Sequence, residues 1–180
     1  MKRNKPNFRS IVRRVAHFPL VCCLATYTCS VTPCHAQRPL SVHLPLKEIH
    51  VTSAFGPRVH PVTKKRSFHN GVDLKARAAT IYSVLHARVC ATGNHPMLGL
   101  YVKTNSSGIG ITYGHLSRII ARKGELLAAG SPIGISGSTG RVTGEHLHLS
   151  MQYNGSYLPP LEFLRRALPQ AQQHTSILTH

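Results

Sequence analysis

The sequence predicts a mainly β protein, built from antiparallel strands with a few short helices. From residue 48 onward, short apolar stretches alternate with glycine- and serine-rich segments, which is typical of short strands joined by turns. The segments "NSSG" and "NG" between apolar runs are hairpin signals. Helical periodicity is weak. The 180 residues are enough for one compact domain with a core.

Four segments carry the predicted strands, and two carry the predicted helices. The strand segments, in chain order, are "TIYSVLHARVCATG", "LGLYVKTNSSGIGITYGHL", "SPIGISGSTG" and "EHLHLSMQYNGSYL". The first predicts strand–turn–strand, the second a hairpin, and the third a strand that runs into a glycine-rich loop. The fourth predicts a hairpin that turns at Asn154-Gly155. Short helices are expected around residues 117–121 and in "PLEFLRRAL".

The N-terminal segment has the pattern of a secretory signal peptide. Six basic residues precede the apolar run "FPLVCCLATYTCSV", and small residues follow in "TPCHA". The run is shorter than the roughly 20 residues of a transmembrane helix. We therefore predict a signal peptide over residues 1–36. An uncleaved anchor is the alternative, because the basic region is longer than usual.

The rest of the chain divides into three predicted parts. Residues 37–47 contain two prolines without a clear period, which predicts a linker. Residues 48–168 are predicted as the folded domain. Residues 169–180 are predicted as a flexible C-terminal tail.

Charge and cysteine content limit the classes of partner and site. The chain carries a net charge of +17, which favours anionic partners. Cleavage after Ala36 would remove six of the 22 basic residues and none of the five acids, and so leave +11. It would also leave Cys90 as the single cysteine, which excludes an internal disulfide and a tetrahedral cysteine zinc site.

Two histidine-containing segments predict a metal site. "FHNGVDL" supplies His69 and Asp73, and "GEHLHLS" supplies His146 and His148. On a strand both histidines of the second segment point to one face, so that one or both can coordinate a metal. His115 in "YGHL" is a further candidate. Catalytic zinc sites use three nitrogen or oxygen ligands and leave one position open.

The sequence around these residues resembles the lysostaphin/LytM-type zinc metallopeptidases. The resemblance rests on "TSAFGPRVHPVTKKRSFHNGVDL", "GITYGHLS" and "GSPIGISGSTGRVTGEHLHLS", which follow one another in the order of that family. It covers about residues 48–165. It implies an antiparallel β-sheet with a groove, one Zn²⁺ ion on the groove floor, and hydrolysis of peptide bonds in peptidoglycan stems or cross-bridges.

The resemblance also implies roles for five residues. His69, Asp73 and His148 match the zinc ligands, whereas His115 and His146 match catalytic residues. No HExxH motif is present, so the glutamate base of that protease class is missing, and two imidazoles that titrate near neutral pH could take its place. Which of the two is the base stays open.

Arg58 and Tyr113 are candidates for the substrate groove. Arg58 in "FGPR" could contact a substrate carboxylate or support the loop before the first ligand, and the alternative is a solvated surface charge. Tyr113 could line the groove or simply pack.

Several positions differ from the family pattern. Ala79 stands where the family has glycine, and Leu149 and Ser150 follow the histidine pair in place of Phe-Glu. These differences bear on substrate preference.

We expect an exported zinc endopeptidase that acts on peptidoglycan in the periplasm or in the extracellular cell wall. We expect it to be a monomer that does not bind nucleic acid and is not stably inserted in a membrane once the leader is removed. A latent or regulatory peptidoglycan-binding module of the same fold is the alternative. Peptidases of other substrate classes, such as those that cut glycine-rich or elastin-like proteins, also stay open.

Overall fold

A computed structural model describes residues 41–59, 66–168 and 177–178. The described residues form thirteen strands and one helix. The strands are β1 Ile49–Ser53, β2 Gly56–Val59, β3 Arg66–His69, β4 Val72–Lys75, β5 Thr80–Tyr82, β6 Ala87–His95, β7 Gly99–Ser106, β8 Ile109–Ile119, β9 Leu126–Leu127, β10 Pro132–Ser136, β11 His146–Tyr153, β12 Ser156–Leu158 and β13 Ile177–Leu178. The helix is α1 Pro160–Ala167.

One large sheet contains eleven of these strands, and its order brings distant segments of the chain together. Its main path runs β13-β1-β4-β11-β8-β7-β6-β9, while β10 pairs with β5 and β8, and β12 pairs with β11. β2 and β3 form a separate hairpin. Every pairing is antiparallel except that of β1 with β13. The predicted mainly antiparallel β fold is confirmed.

Both predicted hairpin turns are present, and their backbone angles explain them. Ser107 and Gly108, between β7 and β8, have φ angles of 47° and 86°. Asn154 and Gly155, between β11 and β12, have φ angles of 48° and 76°. Two successive residues with positive φ match the right-handed twist of the strands that they join, and asparagine and glycine adopt this conformation readily.

The core lies against one face of the large sheet, where every second residue of the central strands is apolar and buried. Leu147, Leu149 and Met151 on β11 are fully buried, as are Ile109 and Ile111 on β8. Side chains between these positions point to the opposite face, since a strand has a period of two. The opposite face of β11 therefore carries His146 and His148.

The prediction of a helix in "PLEFLRRAL" is confirmed by α1. The helix begins at Pro160, a residue preferred in the first turn, and an ion pair of 2.5 Å joins Glu162 to Arg166. The helix predicted around residues 117–121 is wrong. Residues up to Ile119 continue β8, because backbone pairing with β10 overrides a weak local helical pattern.

Two segments that were predicted to lie outside the folded domain contain structured residues. The predicted linker 37–47 is packed on the domain from Val42 onward, where a compact unit begins. Leu46 is buried, and the Tyr82 N–H donates to the Pro45 carbonyl at 3.0 Å. In the predicted tail 169–180, Ile177–Leu178 form β13. The predicted leader and the rest of that tail lie outside the described residues. Among the residues that are described, no helix combines the length and apolar character needed to cross a membrane.

Candidate metal centre

Three predicted ligands meet at one point of the large sheet. His69 ends β3, Asp73 lies on β4, and His148 lies on the neighbouring β11. Asp73 Oδ1 is 2.8 Å from His148 Nδ1 and 3.2 Å from His69 Nε2, and the two nitrogens are 3.2 Å apart. The three atoms form a small triangle, which is the arrangement of a metal-binding group.

Register and a close backbone approach place His148 in this triangle. His148 is directly opposite Asp73 in the β11–β4 ladder, and residues opposite each other point to the same face. Gly71 lies in the turn between β3 and β4, where an added Cβ would lie 2.7 Å from His148 Cε1 and 2.6 Å from the Leu149 carbonyl oxygen. The imidazole therefore packs where only glycine leaves room.

A hydrogen bond fixes the orientation of the His69 ring. His69 Nδ1 donates to the Ala54 carbonyl at 2.9 Å. A carbonyl only accepts, so Nδ1 carries the hydrogen and Nε2 presents its lone pair to the triangle. An outer hydrogen bond of this kind is the usual support for a metal-binding histidine.

Asp73 is held in its ionised form. Burial alone would raise the pKa of this carboxyl, but the hydrogen bond from His148 and the nearby His69 ring lower it well below its usual range. Arg58 adds a cation, with Nη1 3.8 Å from Asp73 Oδ2. The centre thus provides an anionic ligand at all physiological pH values.

The geometry and the donor types fit a zinc ion. Zinc–nitrogen and zinc–oxygen bonds of about 2.0–2.2 Å place tetrahedral ligands about 3.3–3.5 Å apart. The three atom pairs here are 2.8–3.2 Å apart, so an expansion of a few tenths of an ångström would admit the ion. Two imidazole nitrogens and one carboxylate oxygen form a donor set typical of zinc centres with an open position.

The two other predicted histidines lie beside this triangle. The rings of His115 and His146 are 4.7 Å apart, and His146 Nε2 is 3.7 Å from Asp73 Oδ1. His115 Nδ1 donates to the Thr139 carbonyl at 2.9 Å, and His146 Nδ1 donates to the Gly144 carbonyl at 2.8 Å. In both rings Nδ1 therefore carries the hydrogen, and Nε2 is the atom left to accept a proton.

His115 has an unusual backbone that turns its side chain into the site. Its φ is 60°, and the ladder of β8 with β7 shifts register between Leu100 and Val102, beside this position. Such bulges redirect side chains and occur next to functional sites. Burial lowers the pKa of His115, partly opposed by its hydrogen bond to the Thr139 carbonyl. The ring is therefore neutral at neutral pH.

The prediction that Tyr113 lines the groove is wrong, and the open alternative that it packs is correct. Its side chain is fully buried, and its hydroxyl accepts a 2.9 Å hydrogen bond from the Val84 N–H. A regular strand would place Tyr113 and His115 on one face. The irregular backbone at His115 breaks this alternation, so that Tyr113 points to the core while His115 points to the site.

An open cavity of about 420 Å³ is lined by the three predicted ligands, the two predicted catalytic histidines and Arg58. Sequence reasoning missed the rest of its wall: Met97, Leu98, Arg141, Val142 and Thr143. It also missed Thr139, whose hydroxyl donates to the Leu116 carbonyl at 2.6 Å and accepts from the Leu100 N–H at 2.9 Å. The signal available for Thr139 and Arg141 was their place in "GSTGRVTG", directly before the histidine pair.

Several curated relatives are endopeptidases by name. The chain is 40% identical over 124 residues to the peptidoglycan DD-endopeptidase ShyA of Vibrio cholerae, covering 67% of this chain and 28% of ShyA. It is 32% identical over 119 residues to the DD-carboxypeptidase/endopeptidase Mpg of Neisseria meningitidis, covering 65% of this chain and 27% of Mpg. The chain thus spans less than a third of the length of either relative.

Solved structures share the fold. A zinc-containing peptidase from Vibrio cholerae superposes with a TM-score of 0.63 at 31% identity, covering 72% of this chain and 41% of that one. The catalytic domain of lysostaphin from Staphylococcus simulans superposes with a TM-score of 0.59 at 24% identity, covering 64% of this chain and 91% of the other, a likeness of fold. The model of peptidase family M23 matches residues 67–160, which include every residue of the metal triangle and both neighbouring histidines. The chain therefore belongs to peptidase family M23.

Proposed function

We propose that this protein is an exported, zinc-dependent endopeptidase that hydrolyses peptide bonds in peptidoglycan stem or cross-link peptides. The observation that carries the proposal is the meeting of His69, Asp73 and His148 with two further histidines in one open cavity. The names of the curated relatives support peptidoglycan as the substrate. The leader pattern supports export to the periplasm or the cell wall.

His69, Asp73 and His148 would hold one zinc ion. When bound, zinc acts as a Lewis acid that polarises the scissile carbonyl and lowers the pKa of water to about 7. The ionised Asp73 would offset part of the positive charge of the ion. The hydrogen bond from His69 Nδ1 to the Ala54 carbonyl would keep the ligand nitrogen in place.

His115 and His146 would move protons and stabilise charge in the reaction. Each ring is anchored through Nδ1 to a carbonyl, so Nε2 is the atom available to the substrate. His115 is neutral at neutral pH because burial lowers its pKa, and a neutral imidazole can accept a proton. His146 Nε2 is 3.7 Å from Asp73 Oδ1, so this ring lies directly beside the charged centre. We therefore assign the base role to His115 and charge stabilisation to His146.

The walls of the cavity suit an anionic peptide. Arg58 and Arg141 line it, and the one carboxylate among the lining residues is the ligand Asp73. Carboxylates on a stem peptide would find two cations and no competing surface acid in this cavity. Arg58 is half-buried and donates to the Ser53 hydroxyl, so its guanidinium is held beside the centre.

The experiment is to incubate the purified full chain with purified peptidoglycan and identify released fragments by liquid chromatography and mass spectrometry. New cleaved stem or bridge peptides, absent with a chelator and absent with His146→Ala, are expected. His86→Ala, which removes an exposed histidine outside the cavity, is the matched control and should keep activity. If the zinc-loaded protein releases no fragment from any wall chemistry, the endopeptidase proposal fails, and the regulatory module becomes the better assignment.

A further inference from the structure

A second cavity, distinct from the metal centre, is lined by cations. It has a volume of about 670 Å³ and lies where the start of β1, the end of β4 and the segment before β5 meet. Lys47, Lys75 and Arg77 are exposed and line it, and we call it the basic cavity. None of these three residues has a role in the metal centre.

Cations outnumber carboxylates in the basic cavity, so its charge is net positive. Glu48 is the one carboxylate among its lining residues, and it contacts His50 Nε2 at 3.3 Å. Three permanent cations around one concave surface concentrate positive potential there and attract an anion. The charge of the cavity therefore predicts an anionic ligand.

The floor of the basic cavity indicates that the anion is attached to carbon. Leu46 and Ala76 are buried there, and Tyr82 is half-buried. A cavity with apolar walls and a few charged groups suits an organic acid better than a free hydrated ion. A carboxylate on a peptide or sugar framework meets both requirements.

The basic cavity lies on the same face of the sheet as the metal centre. Lys75 is directly opposite His146 in the β4–β11 ladder, just as Asp73 is directly opposite His148. Opposite residues point to one face, and positions two apart on a strand are about 7 Å apart. A polymer that lies over Asp73 and continues along β4 therefore reaches Lys75.

We propose that the basic cavity is an exosite, which binds a carboxylate of the peptidoglycan polymer away from the bond that is cut. This rests on the proposed function. The exosite increases binding to the polymer, whereas a short soluble peptide that fills the metal-centre cavity alone does not reach it. Lys75 and Arg77 provide the charge that holds the carboxylate.

The test compares the double variant Lys75→Gln/Arg77→Gln with the double variant Arg122→Gln/Lys123→Gln. Both remove two exposed cations, but the second pair lies in the turn between β8 and β9, away from the basic cavity. Binding to insoluble peptidoglycan is measured by co-sedimentation in the full chain carrying His146→Ala, so that the substrate stays intact. Cleavage of a short soluble cross-linked peptide is measured in the chain with His146 present.

The first double variant should bind peptidoglycan about three- to tenfold more weakly, as expected for two partly exposed charge contacts. The loss should disappear in 1 M salt, where the screening length falls to about 3 Å. Peptidoglycan whose carboxyl groups have been amidated should bind the parent and the first variant equally. Cleavage of the short peptide should be unchanged in both double variants.

Three results would overturn the exosite. The first is an equal loss of peptidoglycan binding in the second double variant, and the second is unchanged peptidoglycan binding in the first double variant. The third is weaker binding of the first double variant to phosphatidylglycerol vesicles but not to peptidoglycan. Failure of the proposed function is a separate result, because it appears as absent cleavage of the short peptide by the parent protein. The binding comparison does not depend on cleavage.

Discussion

The carbonyl oxygen of Thr139 lies 2.9 Å from Nδ1 of His115, and this contact fixes which ring nitrogen faces the metal centre. The Thr139 hydroxyl holds the carbonyl in place, because it bridges the Leu116 carbonyl and the Leu100 N–H on β8 and β7. The Thr139 side chain thus links β7 and β8 to the glycine-rich loop before β11. Loss of that side chain should disturb His115 without removing any residue of the cavity.

Thr139→Val should therefore lower kcat by about ten- to hundredfold, the usual cost of losing an outer hydrogen bond at such a site. KM should change much less, because Thr139 is not among the residues that line the cavity. The acid limb of the pH–rate profile should also shift, since the His115 environment changes. Thr139→Ser keeps the hydroxyl and should restore most of kcat. Equal loss of kcat in both variants, with an unchanged pH profile, would contradict the positioning role.

The histidine pair gives a second prediction, because only one of its members belongs to the metal triangle. His148→Ala and Asp73→Asn should weaken zinc affinity by more than about 100-fold, since even an outer-shell change costs about 10–100-fold. His146→Ala should keep one zinc per chain and lose activity. Metal content after dialysis, measured by mass spectrometry, and a competitive zinc titration check this. Loss of zinc from His146→Ala would assign both histidines to the metal.

Strand geometry made the residues of the metal triangle candidates for a metal site, and the resemblance to the zinc metallopeptidases separated the three ligands from the other histidines. The pair in "HLHL" alternates with leucines, and this period of two survives in β11. The turn "NG" after His69 is short enough to return the chain at once to Asp73. Neither inference depended on long-range packing.

The parts that sequence reasoning missed depend on the path of the backbone. Thr139 and Gly144 contact the site histidines through carbonyl oxygens, which every residue type possesses. The register shift beside His115 arises in the pairing of β7 with β8 and leaves no mark in the residue types, so the strand period wrongly placed Tyr113 on the face of His115. The predicted helix near residue 119 failed for the same reason, because pairing with β10 outweighed a local pattern.

Burial of Tyr113 predicts an effect on stability that depends on pH. Tyr113→Phe should lower the free energy of unfolding by about 1–3 kcal/mol at pH 8, because it leaves the buried Val84 N–H without its acceptor. Burial also raises the pKa of Tyr113 to about 12, against hydrogen bonds that lower it. The neutral phenol is thus favoured in the folded state. The resulting contribution to the free energy of unfolding is fully present below about pH 10, the pKa of tyrosine in the unfolded chain.

Between about pH 10 and 12 the unfolded chain loses the Tyr113 proton while the folded protein keeps it, so this contribution falls by about 1.4 kcal/mol per pH unit. The phenylalanine variant has no such loss. The difference in free energy of unfolding between the two proteins should therefore narrow from pH 8 to pH 11, as measured by urea titration. Groups other than Tyr113 titrate in both proteins and cancel in the comparison. A constant difference over this range would contradict the assigned pKa.

Gly71 gives the last prediction, because it makes room for the His148 ring. An alanine Cβ there would lie 2.7 Å from His148 Cε1 and 2.6 Å from the Leu149 carbonyl oxygen, far inside normal contact. The ring or the backbone must move, so Gly71→Ala should destabilise the fold by about 1–3 kcal/mol and weaken zinc binding. Gly144→Ala is the matched control, since an added Cβ at that position meets nothing within 4 Å. Urea unfolding and a competitive zinc titration are measured for both. If Gly71→Ala kept the zinc affinity and stability of the control, the packing of His148 against Gly71 would not be what holds the ligand in place.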